Sequence, residues 1–420
     1  MDKSQRRALM FYARKKQIIT TAVILAIVLV LGVVAAALCF TEPGRDIVYD
    51  AKQFCKELNE KIELVIDLAR NPGREGSPNL KYELNARGTE YIVIGIGTIW
   101  SSEIVIPKAY DGVPVTQIAN NAFYNRDEIK SVVISENITK IGDAAFACCS
   151  NLEQVTMADG VGRIGHAAFA NCEMLQKITI PDSVTSIGNS AFSDCKSLTS
   201  IVLSQNITQI GQGVFSGCAS LTGIVLPDRL EFIPDRTFVN CKSLTDITIP
   251  ESVTSIGDSA FLGCTGLTKV SLPDGVEIIG SHAFKNCTGL TDIAMPDSLT
   301  YIGGNAFDGC SNLKSIFLPS EVYEIGVYAF CQCKSLVSIT LPEELNFISS
   351  YMFLDCIGLK EITIPDSVES IGYDVFSGCV GLTDIYFTGT EEEWQRILTG
   401  DAGDAPLPDT VTVHFNYTGE

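Results

Sequence analysis

The stretch SVTSIGDSAFLGCTGLTKVSLPD, residues 252–274, is one of twelve successive units of the same length in this chain. Each unit has 23 residues, and no insertion or deletion interrupts the series. The anchoring phenylalanine returns at Phe123, Phe146, Phe169, Phe192, Phe215, Phe238, Phe261, Phe284, Phe307, Phe330, Phe353 and Phe376. A fixed period of this size predicts a solenoid, in which each unit buries its apolar face only against its neighbours.

Apolar residues occupy fixed positions around each phenylalanine. Isoleucine stands five residues before it, leucine follows six residues after it in all but the first unit, and β-branched or aliphatic residues follow at nine and eleven. The alternating end of the unit, residues 267–273, predicts a short strand with one buried face that a proline ends. The segment 257–264 predicts one turn of helix or 3₁₀ helix, and the Val-x-x-Ile before it a second extended piece.

These units resemble the BspA-like, or treponemal, type of bacterial leucine-rich repeat. The resemblance rests on the motif Ile-Gly-x-x-Ala-Phe-x-x-Cys-x-x-Leu followed by Ile-x-Ile-Pro-x-Ser-Val, and it covers residues 81–420. It implies a leucine-rich-repeat right-handed superhelix, with an opening turn over 81–122, repeats over 123–388 and a closing cap over 389–420 that includes Trp394. It also implies binding of host or neighbouring-cell proteins.

The N-terminal region predicts a membrane anchor. Residues 18–40 carry no charge and are long enough to cross a bilayer as a helix. Six basic residues precede them, which predicts a cytoplasmic tail over 1–16, a single transmembrane helix over 17–40 and repeats outside the cell. The alternative is a signal peptide cleaved near residues 35–37. Residues 41–80 predict an amphipathic helix that packs on the first turn, or alternatively forms a short dimerising stalk.

The charge of the chain excludes one class of partner. The formal net charge is −20, and because residues 1–40 contribute +5, the remainder carries −25. Nucleic-acid binding needs a basic surface, so we expect no nucleic-acid partner. Proteins with basic patches, neutral glycans and cations remain as expected partners, and we expect a monomer.

Cysteine recurs as regularly as phenylalanine. Eleven of the fifteen cysteines follow the phenylalanine by three residues, from Cys149 to Cys379. Neighbours on successive units are near enough for disulfides, but the equivalent position in leucine-rich repeats is Asn or Cys that contacts backbone groups. We therefore expect buried, reduced thiols. Histidines and Cys-x-x-Cys pairs are too few for a zinc site, so no metal, cofactor or catalytic residue is predicted, and we expect no enzyme.

Acidic residues also form a row, thirteen residues after the phenylalanine in nine of the units. One interpretation is that each carboxylate accepts backbone N–H bonds within its own turn. The other is a row of weak calcium sites. The row comprises Glu136, Asp159, Asp182, Asp228, Glu251, Asp274, Asp297, Glu343 and Asp366.

Aromatic residues outside the repeated pattern gather in the C-terminal third. Two of them fall on the outward side of the predicted main strand, and aromatic residues are enriched at binding hot spots. Aromatic residues also occur in solenoids for packing alone, without a binding role. The candidate binding residues are Phe317, Tyr386, Tyr301, Tyr328, Tyr351 and Tyr373. The sequence predicts a non-enzymatic surface recognition or adhesion rod for protein binding; the alternatives are a carbohydrate- or envelope-polymer-binding module and a structural spacer.

Overall fold

The protein is a β-solenoid in which each 23-residue repeat forms one turn, here called a rung. The computed structural model describes residues 76–77, 79–97, 101–399, 407 and 411–419. The predicted tail, transmembrane helix and most of the predicted amphipathic helix over 41–80 lie outside these residues. Within them, no helix is long and apolar enough to cross a membrane.

The first turn contains five strands and differs from the rungs. Its strands are β1 (Leu80–Leu84), β2 (Tyr91–Ile96), β3 (Glu103–Ile106), β4 (Ala109–Tyr110) and β5 (Val113–Ile118). β1 pairs antiparallel with β2, and β4 pairs antiparallel with β5. β2 starts one parallel ladder by pairing with β5. β3 starts a second parallel ladder by pairing with the long strand of the first rung, residues 131–134.

Each rung contributes up to two strands, a long one of three or four residues and a short one of two. In chain order the strands are β6 (Ser131–Ile134), β7 (Lys140–Ile141), β8 (Gln154–Met157), β9 (Arg163–Ile164), β10 (Lys177–Thr179), β11 (Ser186–Ile187), β12 (Ser200–Val202), β13 (Gln209–Ile210), β14 (Gly223–Val225), β15 (Phe232–Ile233), β16 (Asp246–Thr248), β17 (Ser255–Ile256), β18 (Lys269–Ser271), β19 (Ile278–Ile279), β20 (Asp292–Ala294), β21 (Tyr301–Ile302), β22 (Glu324–Ile325), β23 (Ser338–Thr340), β24 (Phe347–Ile348), β25 (Glu361–Ile364), β26 (Ser370–Ile371) and β27 (Asp384–Phe387). Every pairing between rungs is parallel and in register at a step of 23 residues, as in Ile256 with Ile279. Both predicted extended pieces are therefore confirmed.

The turn that carries the phenylalanine is not helical, so the predicted helix or 3₁₀ turn is wrong. Ser259 and Gly263 adopt φ values of 57° and 73°, which a right-handed helix cannot contain. Every second backbone N–H group of the turn donates to a carbonyl oxygen of the next rung. Ser259 donates to Ser281 O at 2.8 Å, and Phe261 donates to Ala283 O at 2.8 Å. The turn thus extends the hydrogen-bond ladder between rungs.

The core is a set of side-chain columns that run along the solenoid. The twelve phenylalanine rings stack nearly parallel, with centroids 4.9–6.0 Å apart. All of these rings are at least 98% buried, and the isoleucine and leucine columns pack beside them. Burial of one such side chain contributes roughly 1.5–3 kcal/mol, so the repeated columns stabilise the whole stack.

A cap closes the C-terminal end of these columns. Helix α1 (Glu391–Thr399) buries Trp394 against Phe387, with ring centroids 5.2 Å apart. Thr390 and Glu393 form a capping box at its start, in which each side chain accepts the other residue's backbone N–H at 3.3 and 2.9 Å. Strand β28 (Thr412–His414) then pairs in parallel with β27. Trp394 lies within residues 389–420, for which the family resemblance implies a closing cap.

The ladder of short strands is interrupted at two rungs, and at both the glycine that follows the isoleucine is replaced. β13 does not pair with β15, where Pro234 takes the glycine position, and β22 does not pair with β24, where Ser349 does. The glycine normally donates its N–H across the rungs, as Gly257 does to Ile233 O at 2.8 Å. Proline has no N–H to donate, and Ser349 contacts Ile325 O through Oγ instead, at 2.5 Å.

Close packing gives the second reason for the interruptions. A Cβ built on Gly257 would lie 2.7 Å from Ile233 O, closer than side-chain carbons approach. A side chain at this position therefore requires its neighbours to shift, and at Pro234 and Ser349 the short strands do not pair. Ala119 holds the same position in the first unit and still donates its N–H to Val93 O at 2.8 Å, so the loss of the N–H at Pro234 and the side-chain bond of Ser349 are the clearer causes.

Candidate functional site

The outward side of the long strands carries exposed apolar side chains at several positions among polar ones. We call it the long-strand face and define it by the residues that stand ten positions after each phenylalanine. Val202 and Val225, on adjacent rungs, are 60% and 70% exposed, and Phe317 is 68% exposed. Between them lie small residues such as Thr248. Exposed apolar groups on a pre-formed surface are a mark of interaction sites.

The predicted aromatic residues fall on more than one side of the solenoid. Phe317 and Tyr386 both lie on the long-strand face, three rungs apart. Tyr301 is in β21 among the short strands, and the other three are in the turns before the phenylalanines. Tyr328 and Tyr351 stack at 4.6 Å, whereas Tyr373 is 55% exposed in the next turn. The structure therefore brings together only one pair of the six.

Tyr386 belongs to a cluster formed with the C-terminal cap. Its ring stacks on the ring of His414, with centroids 4.8 Å apart, and contacts the tilted ring of Tyr417, with centroids 4.6 Å apart. His414 Nε2 lies 2.7 Å from Asp384 Oδ1, and hydrogen bonds from His414 and Thr383 lower the pKa of that carboxyl group. The cluster fixes β28 against β27, which gives Tyr386 a structural role in addition to its place on the long-strand face.

The cysteine ladder is buried and reduced, as predicted. Each of the eleven thiols donates to the carbonyl oxygen of the phenylalanine 26 residues earlier, as Cys264 does to Phe238 at 3.0 Å. All eleven are free and at most 1% exposed. Burial raises the pKa of Cys264 to about 12, so the thiol stays protonated and unreactive at neutral pH.

The interpretation of the acidic row as turn-forming carboxylates is wrong. Each turn is closed by backbone atoms, as in Val184 N–H to Pro181 O at 3.0 Å. The side chain that makes the additional contact is the next one, since Ser183 donates to Val161 O at 2.9 Å. Within the described part of the chain, no three His, Cys, Asp or Glu side chains converge on a point where a metal ion would fit.

A different polar column binds the rungs to one another. It lies three residues before the phenylalanine, and in seven rungs its side chain accepts the backbone N–H of the same position in the next rung. Asp143 Oδ1 accepts from His166 at 2.9 Å, and His166 Nδ1 accepts from Asn189 at 2.9 Å. His166 therefore holds the same structural position as the aspartates and asparagines of its column.

Sequence reasoning missed a cleft at the first interruption of the ladder, which we call the Pro234 cleft. It has a volume of about 550 Å³ and lies between β13 and the segment 229–234. Pro234 itself was the available signal, because it breaks the Ile-Gly pattern of the rungs. The side chains that line it and bear on its chemistry are Arg163, His166, Asn189, Gln209, Arg229 and Phe232.

Comparison with known proteins decides the family. A family model described as a BspA type leucine rich repeat region, in six copies, matches residues 116–245, 231–360 and 307–396, well over half of the chain. The chain belongs to the BspA-type leucine-rich repeat family. The comparison with curated proteins gave no match.

Three solved structures share the fold of this chain. A leucine rich cell surface protein from Faecalibacterium prausnitzii is 30% identical, with a TM-score of 0.53, and the match covers 80% of this chain and 99% of that one. A leucine-rich repeat protein from Bacteroides ovatus is 28% identical, with a TM-score of 0.56 and coverage of 81% and 98%. The pneumococcal vaccine antigen PcpA, at 22% identity and a TM-score of 0.55, shows the fold alone, with coverage of 81% and 97%.

Proposed function

We propose that this protein is a non-enzymatic recognition protein that displays its solenoid outside the cell and binds other proteins through the long-strand face. The observation that carries the proposal is the exposure of Val202 and Val225 in the long strands of adjacent rungs, and of Phe317 at the same position four rungs further on. A pre-formed surface of this kind loses little conformational entropy on binding. The similarity to the Faecalibacterium cell surface protein supports the location.

The proposed location rests on the N-terminal sequence. The uncharged segment 17–40 anchors the chain in the cell membrane by a single span, with the basic tail in the cytoplasm and the repeats outside. A tag placed after Glu420 tests this topology. External protease removes the tag from intact cells if the repeats are outside, and a tag that is cut only after lysis contradicts the proposal.

The binding test uses the full chain displayed on cells and a panel of soluble matrix proteins and neutral polysaccharides. We expect capture of a protein, and loss of that capture in the double variant Val202→Glu, Val225→Glu, because two carboxylates on the face oppose apolar contact. Val380→Glu is the matched control, since Val380 is 82% exposed but lies in a turn. Capture of polysaccharide alone would favour a carbohydrate-binding module, and no capture at all a structural spacer.

A further inference from the structure

The Pro234 cleft opens where the short strands of two neighbouring rungs are not joined by backbone hydrogen bonds. The turns of the same two rungs remain joined, as in Phe215 N–H to Thr237 O at 3.0 Å. In the rungs on either side, Thr208 N–H donates to Thr185 O at 3.1 Å and Thr254 N–H donates to Glu231 O at 2.8 Å. Among the described residues, the N–H of Glu231 donates to nothing, and Pro234 has no N–H. The edge of the cleft therefore presents the unpaired backbone N–H of Glu231 in addition to side chains.

The cleft is locally basic in a chain that is strongly acidic. The chain has 50 acidic and 30 basic residues, yet Arg163 and Arg229 line the cleft and Glu231 is the one acidic residue there. Neither guanidinium forms an ion pair or hydrogen bond with any described residue. Lys140 lies beside Arg163 in the parallel register, which extends the positive charge. A pair of uncommitted arginines suits a carboxylate, which a guanidinium can bind through two hydrogen bonds.

The remaining lining matches the surface of a sugar ring. Phe232 is 52% exposed and offers an apolar ring face for stacking. Gln209 and Asn189 supply amide groups for hydroxyl groups; Asn189 Oδ1 accepts from Gln212 N–H at 3.1 Å, which leaves the amide N–H groups of Asn189 as donors. The volume of about 550 Å³ lies within the usual range for small-molecule sites.

We propose that the Pro234 cleft binds an acidic saccharide, that is, a chain of sugar rings bearing carboxylates. Arg163 and Arg229 bind the carboxylates, Phe232 stacks on a ring, and Asn189 and Gln209 bond to hydroxyl groups. An acidic peptide is less suited, because β13 and β15 have only two residues each and give a peptide strand little edge to pair with. This site is separate from the long-strand face and does not depend on the function proposed for that face.

The test is calorimetric titration of the full chain in detergent with trigalacturonic acid and with its methyl ester, which keeps the rings and removes the charge. We expect the acid to bind at least about tenfold more tightly than the ester. Arg163→Gln and Arg229→Gln should each weaken binding of the acid by about tenfold, because each removes charge-assisted hydrogen bonds. Arg236→Gln is the control, since Arg236 is exposed on the same rung outside the cleft.

A second pair of variants separates stacking from charge. Phe232→Ala should weaken binding of the acid, whereas Phe347→Ala should not, because Phe347 holds the same position in the other interrupted rung. Unchanged thermal unfolding of these surface variants confirms that they fold. Equal affinity for acid and ester, unchanged binding by both arginine variants, or tighter binding of triglutamate than of trigalacturonate would overturn the proposal.

Discussion

The buried thiols have a consequence at the scale of single residues, which is a strong dependence of stability on alkaline pH. Burial raises the pKa of Cys195 and Cys264 from 9.0 to about 12, and raises it for the other thiols of the ladder. In the unfolded chain these thiols lose their protons near pH 9, whereas in the folded chain they keep them. The stabilising contribution is therefore complete below pH 9 and is lost as the pH rises from 9 towards 12.

The expected result is a free energy of unfolding that is level from pH 7 to 8.5 and then falls steeply. Each thiol contributes a slope of about 1.4 kcal/mol per pH unit, so several thiols together unfold the protein within about one unit. Denaturant titrations at each pH measure this. The variant Cys264→Ala, Cys287→Ala should show a shallower fall, and stability that stays level to pH 11 contradicts the buried ladder.

The glycine after the isoleucine is the second residue whose replacement has a clear expected cost. Gly257→Ala should destabilise the protein by about 1–3 kcal/mol, because its Cβ would clash with the backbone of the preceding rung. Gly223→Ala is the matched control, since a Cβ there meets its nearest atom at 3.7 Å. Chemical denaturation measures both. Equal effects of the two changes would show that the rungs do not pack as closely as described.

At the scale of elements, Ser349 replaces a backbone hydrogen bond by a side-chain bond. Ser349→Ala should cost about 1–3 kcal/mol, because it leaves Ile325 O buried without its donor while it keeps a Cβ between the rungs. Ser349→Gly should cost less, since a glycine N–H can take over the bond as it does in the other rungs. A glycine variant that is less stable than the alanine variant argues against this explanation.

The helix of the C-terminal cap protects the open end of the core. Trp394→Ala should cost about 3–5 kcal/mol, because Trp394 is only 2% exposed and covers Phe387. Leu398→Ala, at a position in the same helix that is 37% exposed, should cost much less. Thermal unfolding, monitored by far-UV circular dichroism of the backbone, compares the stability of the two variants. Similar losses would mean that the helix lies on the surface without sealing the end.

The sequence predicted the elements that residue type determines. The predictions were wrong or incomplete where the backbone conformation or the distance between rungs determines the structure. The strands and the phenylalanine column follow from apolar spacing, and the thiol column follows from the regular recurrence of cysteine. The turns do not, because Ser259, His282 and Tyr328 all adopt left-handed backbone in equivalent turns, and no residue type marks this conformation. The carboxylates of the acidic row do not close their turns, and at four of the nine positions a following serine makes the contact between rungs. The consequence of Pro234 needed the distance between rungs, which the sequence does not contain.

At the scale of the whole molecule, regularity restricts where function can reside. Positions that repeat in all or nearly all rungs, such as the phenylalanines and the thiols, are committed to the core. What distinguishes one part of the solenoid from another is the composition of the long-strand face and the two interruptions at Pro234 and Ser349. The central claim is therefore that these replacements break the ladder of short strands, and that the break at Pro234 opens the cleft.

The most direct test compares amide hydrogen exchange at equivalent positions of adjacent rungs, in the intact protein by NMR or by fragment mass spectrometry. The N–H of Thr208, Thr254 and Glu369 each donate to the preceding rung, whereas the N–H of Glu231 and Asn346 donate to no described residue. We predict rapid exchange at Glu231 and Asn346 and strong protection at the other three. Protection of Glu231 and Asn346 equal to that of Thr254 would contradict the account, because the ladder would then be continuous.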